Sequence, residues 1–273
     1  MISKKESKMI HPTAVIYDGA KVASSAEIGP YCVIGSNVEI KDGVILKSHV
    51  CVDGYTVIDE GTTVFPFASL GLVPQDLKYS GEKSTVYIGK NNTIREYVTI
   101  HPGTEQGGMK TEIGDNCLLM IGVHVAHDCK IGNNVIMANN VTLAGHVNVA
   151  DFAIIGGMSA VHQFVRIGAH SIIGGGSIVV EDVIPFGNVV GERAGLAGLN
   201  IVGMKRRNFD RETIKQLQIA FKRLFVDNDN TFESRVNDVE ENFGNNEKVK
   251  EIVQFLKADS SRSICMPKIR DES

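Results

Sequence analysis

The sequence predicts a mainly β fold, in which a parallel β-helix of hexapeptide repeats precedes a small C-terminal α-helical domain. Two observations lead to this prediction. Large aliphatic residues recur at every sixth position through most of the chain before Ile184, and apolar residues recur at helical spacing after Asp210. We assign the β-helix to residues 10–190, the helical domain to residues 191–257 and a mobile tail to residues 258–273.

The repeat is clearest in the second half of the predicted β-helix. After Ile131, an aliphatic residue occupies every sixth position: Met137, Leu143, Val149, Ile155, Val161, Ile167, Ile173 and Val179. A period of six fits neither a helix nor an isolated strand. Three hexads instead form the three short faces of a triangular coil, with aliphatic residues inside and small residues at the corners. Residues three hexads apart then stack on successive coils, about 4.8 Å apart.

Two segments lose the aliphatic pattern and are predicted as loops that leave the prism. Residues 65–85 keep the phase of the repeat, because Val64 and Ile88 are four hexads apart, whereas residues 101–112 shift it by one position. Long loops on a rigid scaffold often carry functional residues. We therefore expect both loops to contribute to a site.

The repeat is predicted to stop after Ile184, and helices follow it. Asp210 is a suitable N-cap for a first helix, whose apolar face is Ile214, Leu217, Phe221 and Leu224. Two further helical stretches are predicted at about 231–243 and 246–257.

Composition and charge exclude several classes of protein. The 273-residue chain has a formal net charge of −4, which gives no basis for binding nucleic acid or an anionic membrane. No signal peptide or membrane-spanning stretch is evident, so we expect a cytoplasmic protein without a transmembrane segment. The five cysteines include no C-x-x-C pair, so neither a disulfide framework nor a cysteine zinc site is predicted.

Four histidines gather at one edge of the predicted prism: His124, His127, His146 and His162. Gly145 stacks above His127, because three hexads separate them, and Gln163 stacks above Gly145 in turn. A rigid scaffold that presents several histidines along one edge indicates a site.

Three interpretations of these histidines compete. Histidine is a common zinc ligand, and some trimeric β-helix carbonic anhydrases bind zinc at such an edge. Histidines at the corners of a β-helix can instead be solvent-facing and inert, although four at one edge weaken that interpretation. The third interpretation is acid–base catalysis. Asp128 would orient His127 as a general base, and the backbone N–H of Gly145 would stabilise an oxyanion. No serine or cysteine nucleophile is evident, which favours direct acyl transfer to a hydroxyl group.

Six motifs occur together with the hexads: "GLVPQDLKYSGE", "IREYVTIHPGT", "HVAHDC", "LAGHV", "FAIIGGMSAVHQF" and "GLNIVGMKRR". From about Ile10 to Phe255 the chain thereby resembles the acyl-carrier-protein–UDP-N-acetylglucosamine O-acyltransferases of lipid A biosynthesis. The resemblance implies a left-handed β-helix, although parallel crossovers are usually right-handed. It also implies a homotrimer with sites in the clefts between subunits, and no metal or organic cofactor.

The resemblance assigns roles to individual residues. It implies that His127 is the general base, that Asp128 is its partner and that Gly145 supplies the oxyanion donor. Contacts to the sugar, the phosphates, the uridine diphosphate and the carrier arm would come from Asp76, Lys78, His124, His146, His162, Gln163, Asn200 and Arg206. Val202 stands where better-known members carry a glutamate beside the nucleotide, and we assign it no role.

The resemblance also implies the reaction, which is transfer of an (R)-3-hydroxyacyl group from acyl carrier protein to the glucosamine 3-position of UDP-N-acetylglucosamine. Relatives that use a 3-amino sugar exist, so the acceptor atom stays open between oxygen and nitrogen. Gly157 and Gly175 are three hexads apart and would form an acyl-chain groove. The position of Gly175 corresponds to the end of that groove in the family, so a long donor of the hydroxymyristoyl type is expected.

Overall fold

The computed structural model describes residues 9–227 and 230–268, so the start of the chain and the end of the predicted tail, 269–273, lie outside it. Short strands dominate this part of the chain. In chain order they are β1 (Val15–Ile16), β2 (Lys21–Val22), β3 (Glu27–Ile28), β4 (Val33–Ile34), β5 (Glu39–Ile40), β6 (Ile45–Leu46), β7 (Cys51–Val52), β8 (Tyr55–Ile58), β9 (Thr63–Val64), β10 (Ser69–Leu70), β11 (Thr85–Ile88), β12 (Thr93–Ile94), β13 (Thr99–Ile100), β14 (Lys110–Ile113), β15 (Leu118–Leu119), β16 (His124–Val125), β17 (Lys130–Ile131), β18 (Ile136–Met137), β19 (Thr142–Leu143), β20 (Asn148–Val149), β21 (Ile154–Ile155), β22 (Ala160–Val161), β23 (Arg166–Ile167), β24 (Ile172–Ile173), β25 (Ile178–Val179), β26 (Gly187–Val190) and β27 (Gly195–Leu199).

Every third strand up to β25 joins the same parallel sheet, so three sheets form the faces of a prism. The pairing register is the predicted one, because β16 pairs with β19 and aligns Val125 with Leu143, three hexads further along the chain. From Ile28 onward the inward aliphatic residues, Leu143 among them, are buried along the axis. The structure therefore confirms the predicted parallel β-helix and its stacking.

The corners of the prism place several residues in the left-handed region of backbone conformation. Asp128 has a φ of 61° and His146 a φ of 63°, on successive coils of one corner. Asparagine, aspartate and histidine tolerate this region better than most side chains. Two candidate site residues therefore form the corner itself.

Both inserted loops are shorter than predicted. Residues 65–70 remain in the prism, because β10 pairs with β7 and Leu70 is fully buried, so the first excursion is 71–84. Ile58 aligns with Ile88, so this coil contains two whole hexads more than a regular coil, which explains the preserved phase. The next coil aligns Ile88 with Ile113, which is one position more than four hexads, and its loop ends before β14 begins at Lys110.

The sheet continues past the predicted end of the repeat. Strand β26 pairs in parallel with β24, and β27 pairs with β26 in the antiparallel sense. The boundary predicted at residue 190 thus falls between two paired strands. An antiparallel return does not follow the six-residue repeat, so it leaves no periodic signal in the sequence.

Four α-helices follow within the described residues: α1 (Ile201–Arg206), α2 (Arg211–Phe225), α3 (Phe232–Phe243) and α4 (Glu247–Lys257). The short helix α1 was not predicted. Asp210 caps α2 as predicted, since its carboxylate accepts a hydrogen bond of 2.8 Å from the Thr213 N–H. None of the helices in residues 9–227 and 230–268 is long and apolar enough to cross a bilayer.

The prediction of a mobile tail does not hold for residues 258–268. Ser260 donates to the fully buried Asp182 carboxylate at 2.6 Å, the Asp182 N–H donates to Ser263 O at 2.8 Å, and Cys265 is buried. A buried carboxylate requires hydrogen-bond donors, and the tail supplies one of them. The described part of the tail, residues 258–268, is therefore fixed against the last coils of the prism.

Candidate active site

His127 and Asp128 form a hydrogen-bonded pair at a corner of the prism. His127 Nδ1 lies 2.8 Å from Asp128 Oδ2, and the Asp128 side chain is completely buried, whereas His127 is partly exposed. A carboxylate in this position holds the Nδ1–H tautomer, so that Nε2 is the atom free to accept a proton. This geometry suits a general base with an orienting partner.

The loop at 101–109 closes over the Asp128 carboxylate. The Thr104 N–H lies 3.0 Å from Oδ1 and 3.1 Å from Oδ2, and the Thr104 hydroxyl donates to Oδ2 at 2.6 Å. The Asp128 N–H donates to Thr111 Oγ1 at 2.8 Å. A buried charge is stabilised only when such partners are present.

Gly145 lies directly over the imidazole of His127, as the stacking of successive coils predicts. A Cβ at position 145 would lie 2.5 Å from His127 Cε1 and 2.6 Å from Nε2, so only glycine leaves room for the ring. Within the described part of the chain, the Gly145 N–H donates no hydrogen bond. The residue that packs against the imidazole thus has an unpaired backbone donor among the described residues.

Three further histidines surround this pair. His146 Nδ1 lies 4.0 Å from Asp128 Oδ2, and its ring centroid lies 5.0 Å from that of His127. His124 Nδ1 is 2.7 Å from the Thr99 hydroxyl, and its ring packs edge-on against that of His101, with a centroid separation of 5.0 Å. The site is therefore rich in imidazoles on three neighbouring coils.

Burial favours the neutral form of these surrounding imidazoles. Burial, followed by the nearby His124 and His127, lowers the pKa of His101 to about 4. Burial also lowers the pKa of His124, and the nearby His127 contributes a smaller part of that effect. Burial lowers the pKa of His146 as well, although the negative charges of Asp128 and Asp76 oppose the effect. Neutral imidazoles serve as hydrogen-bond partners for a polar substrate.

The first loop approaches the site through Asp76 and Lys78. Asp76 lies close enough to His146 for its charge to affect the pKa of that histidine. Lys78 Nζ lies 3.2 Å from Gln106 Oε1 in the second loop, and the Lys78 N–H donates to Asp76 Oδ1 at 3.0 Å. Lys78 is exposed and Asp76 is partly exposed, so both are available to a ligand.

His162 and Gln163 lie one coil beyond Gly145 and contact the tail. Arg262 Nη2 lies 2.7 Å from His162 Nδ1, and Arg262 Nε donates to Gln163 O at 3.0 Å. A guanidinium has no acceptor atom, so His162 Nδ1 accepts this bond and Nε2 carries the proton. Arg262 was not predicted, because the tail was not expected to pack.

Asn200 and Arg206 lie at another corner and make no contact with the His127 pair within the described part of the chain. Asn200 is buried and caps α1, since its Oδ1 accepts from the Gly203 N–H at 2.9 Å and its amide donates to His170 O at 2.9 Å. Arg206 ends α1 and is exposed. The structure thus does not bring these two residues to His127 within one chain.

Gly157 and Gly175 stack at the third corner, as predicted. A Cβ at position 175 would lie 3.3 Å from Gly157 O, and the Gly176 N–H donates to Gly157 O at 2.8 Å. Position 157 is similarly close to the coil below, where a Cβ would lie 3.2 Å from Asn139 O. In the described part of the chain, only backbone atoms come within 4 Å of a Cβ at position 175. The surface beside Gly175 is therefore open.

The geometry also bears on the zinc interpretation. One ligand atom each from His127, Asp128 and His146 lies within 4.8 Å of the others, so a carboxylate and two histidines could share a metal ion. Both carboxylate oxygens of Asp128, however, already accept hydrogen bonds from Thr104, and Oδ2 also contacts His127. Oδ2 is the oxygen that faces both imidazoles, and its contacts leave it no free lone pair for a metal ion, which favours acid–base chemistry at this pair.

Sequence reasoning missed His101 and Thr104, two residues of the second loop. The extended coil aligns Ile100 with Val125, so His101 lies beside Ala126, one position before His127. If the one-residue shift at 101–112 had been used to align the strands before and after the loop, it would have placed His101 near His127. Thr104 could not be found in this way, because its position depends on the path of the loop.

Comparisons with known proteins agree with this architecture. A family model described as "Udp N-acetylglucosamine O-acyltransferase; Domain 2" matches residues 182–265, and the bacterial transferase hexapeptide model of six repeats matches residues 110–145. A protein of Rickettsia canadensis (strain McKiel) named acyl-[acyl-carrier-protein]–UDP-N-acetylglucosamine O-acyltransferase is 54% identical over 257 residues, which are 94% of this chain and 97% of its own. A like-named protein of Bartonella henselae is 47% identical over 263 residues, 96% of each chain.

Solved structures show the same relationship. The UDP-N-acetylglucosamine O-acyltransferase of Moraxella catarrhalis superposes with a TM-score of 0.91 at 40% identity and covers 94% of this chain and 99% of its own. The Arabidopsis UDP-N-acetylglucosamine acyltransferase gives 0.84 at 36% identity, with the same coverage. The fold is the left-handed hexapeptide β-helix with C-terminal helices that the resemblance implied. The chain is an O-acyltransferase, a member of the acyl-[acyl-carrier-protein]–UDP-N-acetylglucosamine O-acyltransferase family.

Proposed function

We propose that this enzyme transfers an (R)-3-hydroxyacyl group from acyl carrier protein to the glucosamine 3-hydroxyl of UDP-N-acetylglucosamine, the first step of lipid A biosynthesis. The observation that carries the proposal is the His127–Asp128 pair with Gly145, whose backbone N–H has no acceptor among the described residues, packed directly over the imidazole. Base and oxyanion donor are the two groups that direct acyl transfer to a hydroxyl requires. The names of the relatives supply the donor and the acceptor.

His127, Gly145 and Asp128 each have a separate role in the proposed reaction. His127 Nε2 removes the proton of the sugar 3-hydroxyl as its oxygen attacks the thioester carbonyl. The Gly145 N–H stabilises the negative charge on the tetrahedral intermediate, and Asp128 stabilises the imidazolium. The C–S bond then breaks, and His127 returns its proton to the thiolate of the carrier arm. The products are the sugar ester and the free carrier thiol.

Polar residues around the pair suit a nucleotide sugar. Asp76, His124 and His146 would bind hydroxyl groups of the sugar, and Lys78 would pair with a phosphate as a point charge. His162 and Gln163 would contact the nucleotide and the carrier arm. Arg262 already orients His162 for this role.

A trimer would complete the site. The His127 pair lies at a convex corner of a single prism, and such a corner cannot enclose a substrate by itself. Asn200 and Arg206 would bind the uridine diphosphate from a neighbouring subunit. In that arrangement Arg206 offers a fork of donors to phosphate, and Asn200 holds the helix that carries it.

The donor is proposed to bind with its chain along the Gly157–Gly175 surface, and its carrier protein on the helices. Acyl carrier proteins are acidic, and exposed basic residues of α1 and α2 supply a local attraction despite the net charge of −4. The exposed members of this cluster are Lys205, Arg206, Arg211, Lys215 and Lys222. We place the reaction in the cytoplasm.

The experiment incubates the purified enzyme with UDP-N-acetylglucosamine and a panel of (R)-3-hydroxyacyl carrier proteins, and identifies the product by mass. An alkali-labile ester on the glucosamine 3-position is expected, with the hydroxymyristoyl donor preferred. An amide formed only with a 3-amino sugar acceptor would move the acceptor from oxygen to nitrogen. Activity lost on chelation, with about one zinc per site by metal analysis, would replace the acid–base mechanism with zinc chemistry.

A further inference from the structure

Thr104 is the loop residue that hydrogen-bonds directly to the Asp128 carboxylate. Its N–H and its hydroxyl both donate to the carboxylate, the hydroxyl at 2.6 Å, and Thr104 is itself buried. The hydroxyl binds Oδ2, which is the oxygen that lies 2.8 Å from His127 Nδ1. One oxygen therefore links Thr104 and His127.

This link determines the plane of the carboxylate. The terminal torsion of an aspartate side chain is broad, so the side chain alone does not set the direction of its lone pairs. The Thr104 N–H bridges both carboxylate oxygens, and the Thr104 hydroxyl binds Oδ2. Together they leave Oδ2 facing the imidazole. Misorienting a catalytic imidazole is costly even when all the groups are retained.

The loop is shaped for this contact. A Cβ on Gly107 would overlap the Asp128 carboxylate, and a Cβ on Gly103 would lie 2.7 Å from Asp128 Oδ1. The first loop supports the second, because Glu82 Oε1 accepts from the Glu105 N–H at 3.2 Å. The insertion at 101–109 thus closes tightly over one buried carboxylate.

We propose that Thr104 is a positioning residue for acyl transfer, which acts through Asp128 to align His127. The inference rests on the proposed function, since it presupposes that His127 is the base. Thr104 touches no substrate in this arrangement. Its loss should therefore lower kcat and leave the KM of both substrates unchanged.

The test replaces the hydroxyl by a methyl group in Thr104→Val, which keeps the shape and the backbone N–H. A hydrogen bond to a charged group is lost, and kcat should fall roughly tenfold with both KM values within about twofold. Thr104→Ser restores the hydroxyl and should bring kcat to within about twofold of wild type. Thr62→Val is the matched control, because the Thr62 hydroxyl is also buried and donates to Gly89 O at 2.8 Å, away from the site.

Gly107→Ala tests the same contact without touching Thr104, and it keeps the inference testable if Thr104→Val does not fold. Its methyl group should displace the carboxylate and lower kcat at unchanged KM. Full kcat in Thr104→Val or Gly107→Ala, with His127→Ala inactive, would overturn the role of Thr104 but leave the proposed function. An active His127→Ala would overturn both. An equal loss of kcat in Thr62→Val would show that only general destabilisation was measured.

Discussion

The ring of His127 occupies the space that a side chain at Gly145 would need. A Cβ at position 145 would lie 2.6 Å from His127 Nε2, well inside van der Waals contact, and the Gly145 N–H is free within the described residues. The glycine therefore does two things. It leaves room for the proposed base and exposes a backbone donor beside it.

Gly145→Ala should lower kcat by about 100-fold while the fold is kept. The added methyl group pushes the imidazole away from its position and covers the N–H, and losing one oxyanion donor alone costs about 10²–10³-fold in kcat elsewhere. The measurement is kcat with hydroxymyristoyl carrier protein, together with circular dichroism. A folded variant with normal turnover would show that Gly145 has no part in the reaction.

Gly175→Met should shift the preference of the enzyme towards donors with a shorter acyl chain. If the longer side chain excludes about four methylenes at ~0.8 kcal/mol each, the hydroxymyristoyl donor should lose roughly 3 kcal/mol, on the order of 100-fold, relative to hydroxydecanoyl. Gly175→Ala is the control, because one methyl group meets only the backbone of Gly157, with its O at 3.3 Å. The measurement is the ratio of kcat/KM for the two donors. A ratio that does not move in an active Gly175→Met enzyme would remove Gly175 from the groove.

Charge reversal at Arg211 and Lys215 should raise the KM for acyl carrier protein. Both side chains are exposed on α2, whereas Arg223 in the same helix is paired with Asp238 at 2.7 Å. Attraction between exposed charges is screened by salt, so the effect should shrink as ionic strength rises. An unchanged KM at low salt would move the docking surface elsewhere.

His170→Phe should make stability less dependent on pH. Burial, followed by the charges of Arg207 and Lys248, lowers the pKa of His170 to about 4 from its ordinary 6.5. Between these values the unfolded chain binds a proton that the folded chain does not, so stability falls as pH falls from about 6.5 to about 4, with a slope of up to ~1.4 kcal/mol per pH unit.

Phenylalanine fits this position. Phe152 and Phe186 stack on either side of His170 and share its left-handed backbone, and the His170 Nδ1 is buried without a partner among the described residues. Urea unfolding at pH 7 and pH 5 measures the change. The loss of stability between the two should be smaller in His170→Phe than in wild type. Equal losses of stability in the variant and the wild type would mean that His170 takes up a proton in the folded protein by pH 5, as it does in the unfolded chain.

The features that could be predicted are those that repeat. The six-residue period determines which residues face inward and which residues stack on successive coils, so the β-helix and the position of Gly145 over His127 follow from it. The corner conformation could also be anticipated, because Asp128 and His146 are residue types that tolerate positive φ.

The features that could not be predicted lie where the period is lost. Thr104 reaches Asp128 because a short loop folds back across a corner, and Arg262 reaches His162 because the tail packs against the buried Asp182. Neither contact leaves a spacing in the sequence, since each depends on the path of an aperiodic segment. The antiparallel strand β27 escaped prediction for the same reason.

The turnover of His127→Ala tests the central claim most directly. The measurement is kcat at saturating UDP-N-acetylglucosamine and hydroxymyristoyl carrier protein, with circular dichroism and molar mass confirming the fold and the assembly. General-base catalysis contributes about 10²–10⁴-fold, so kcat should fall by that factor. A folded, assembled variant with near-normal kcat would contradict the assignment of His127 as the base.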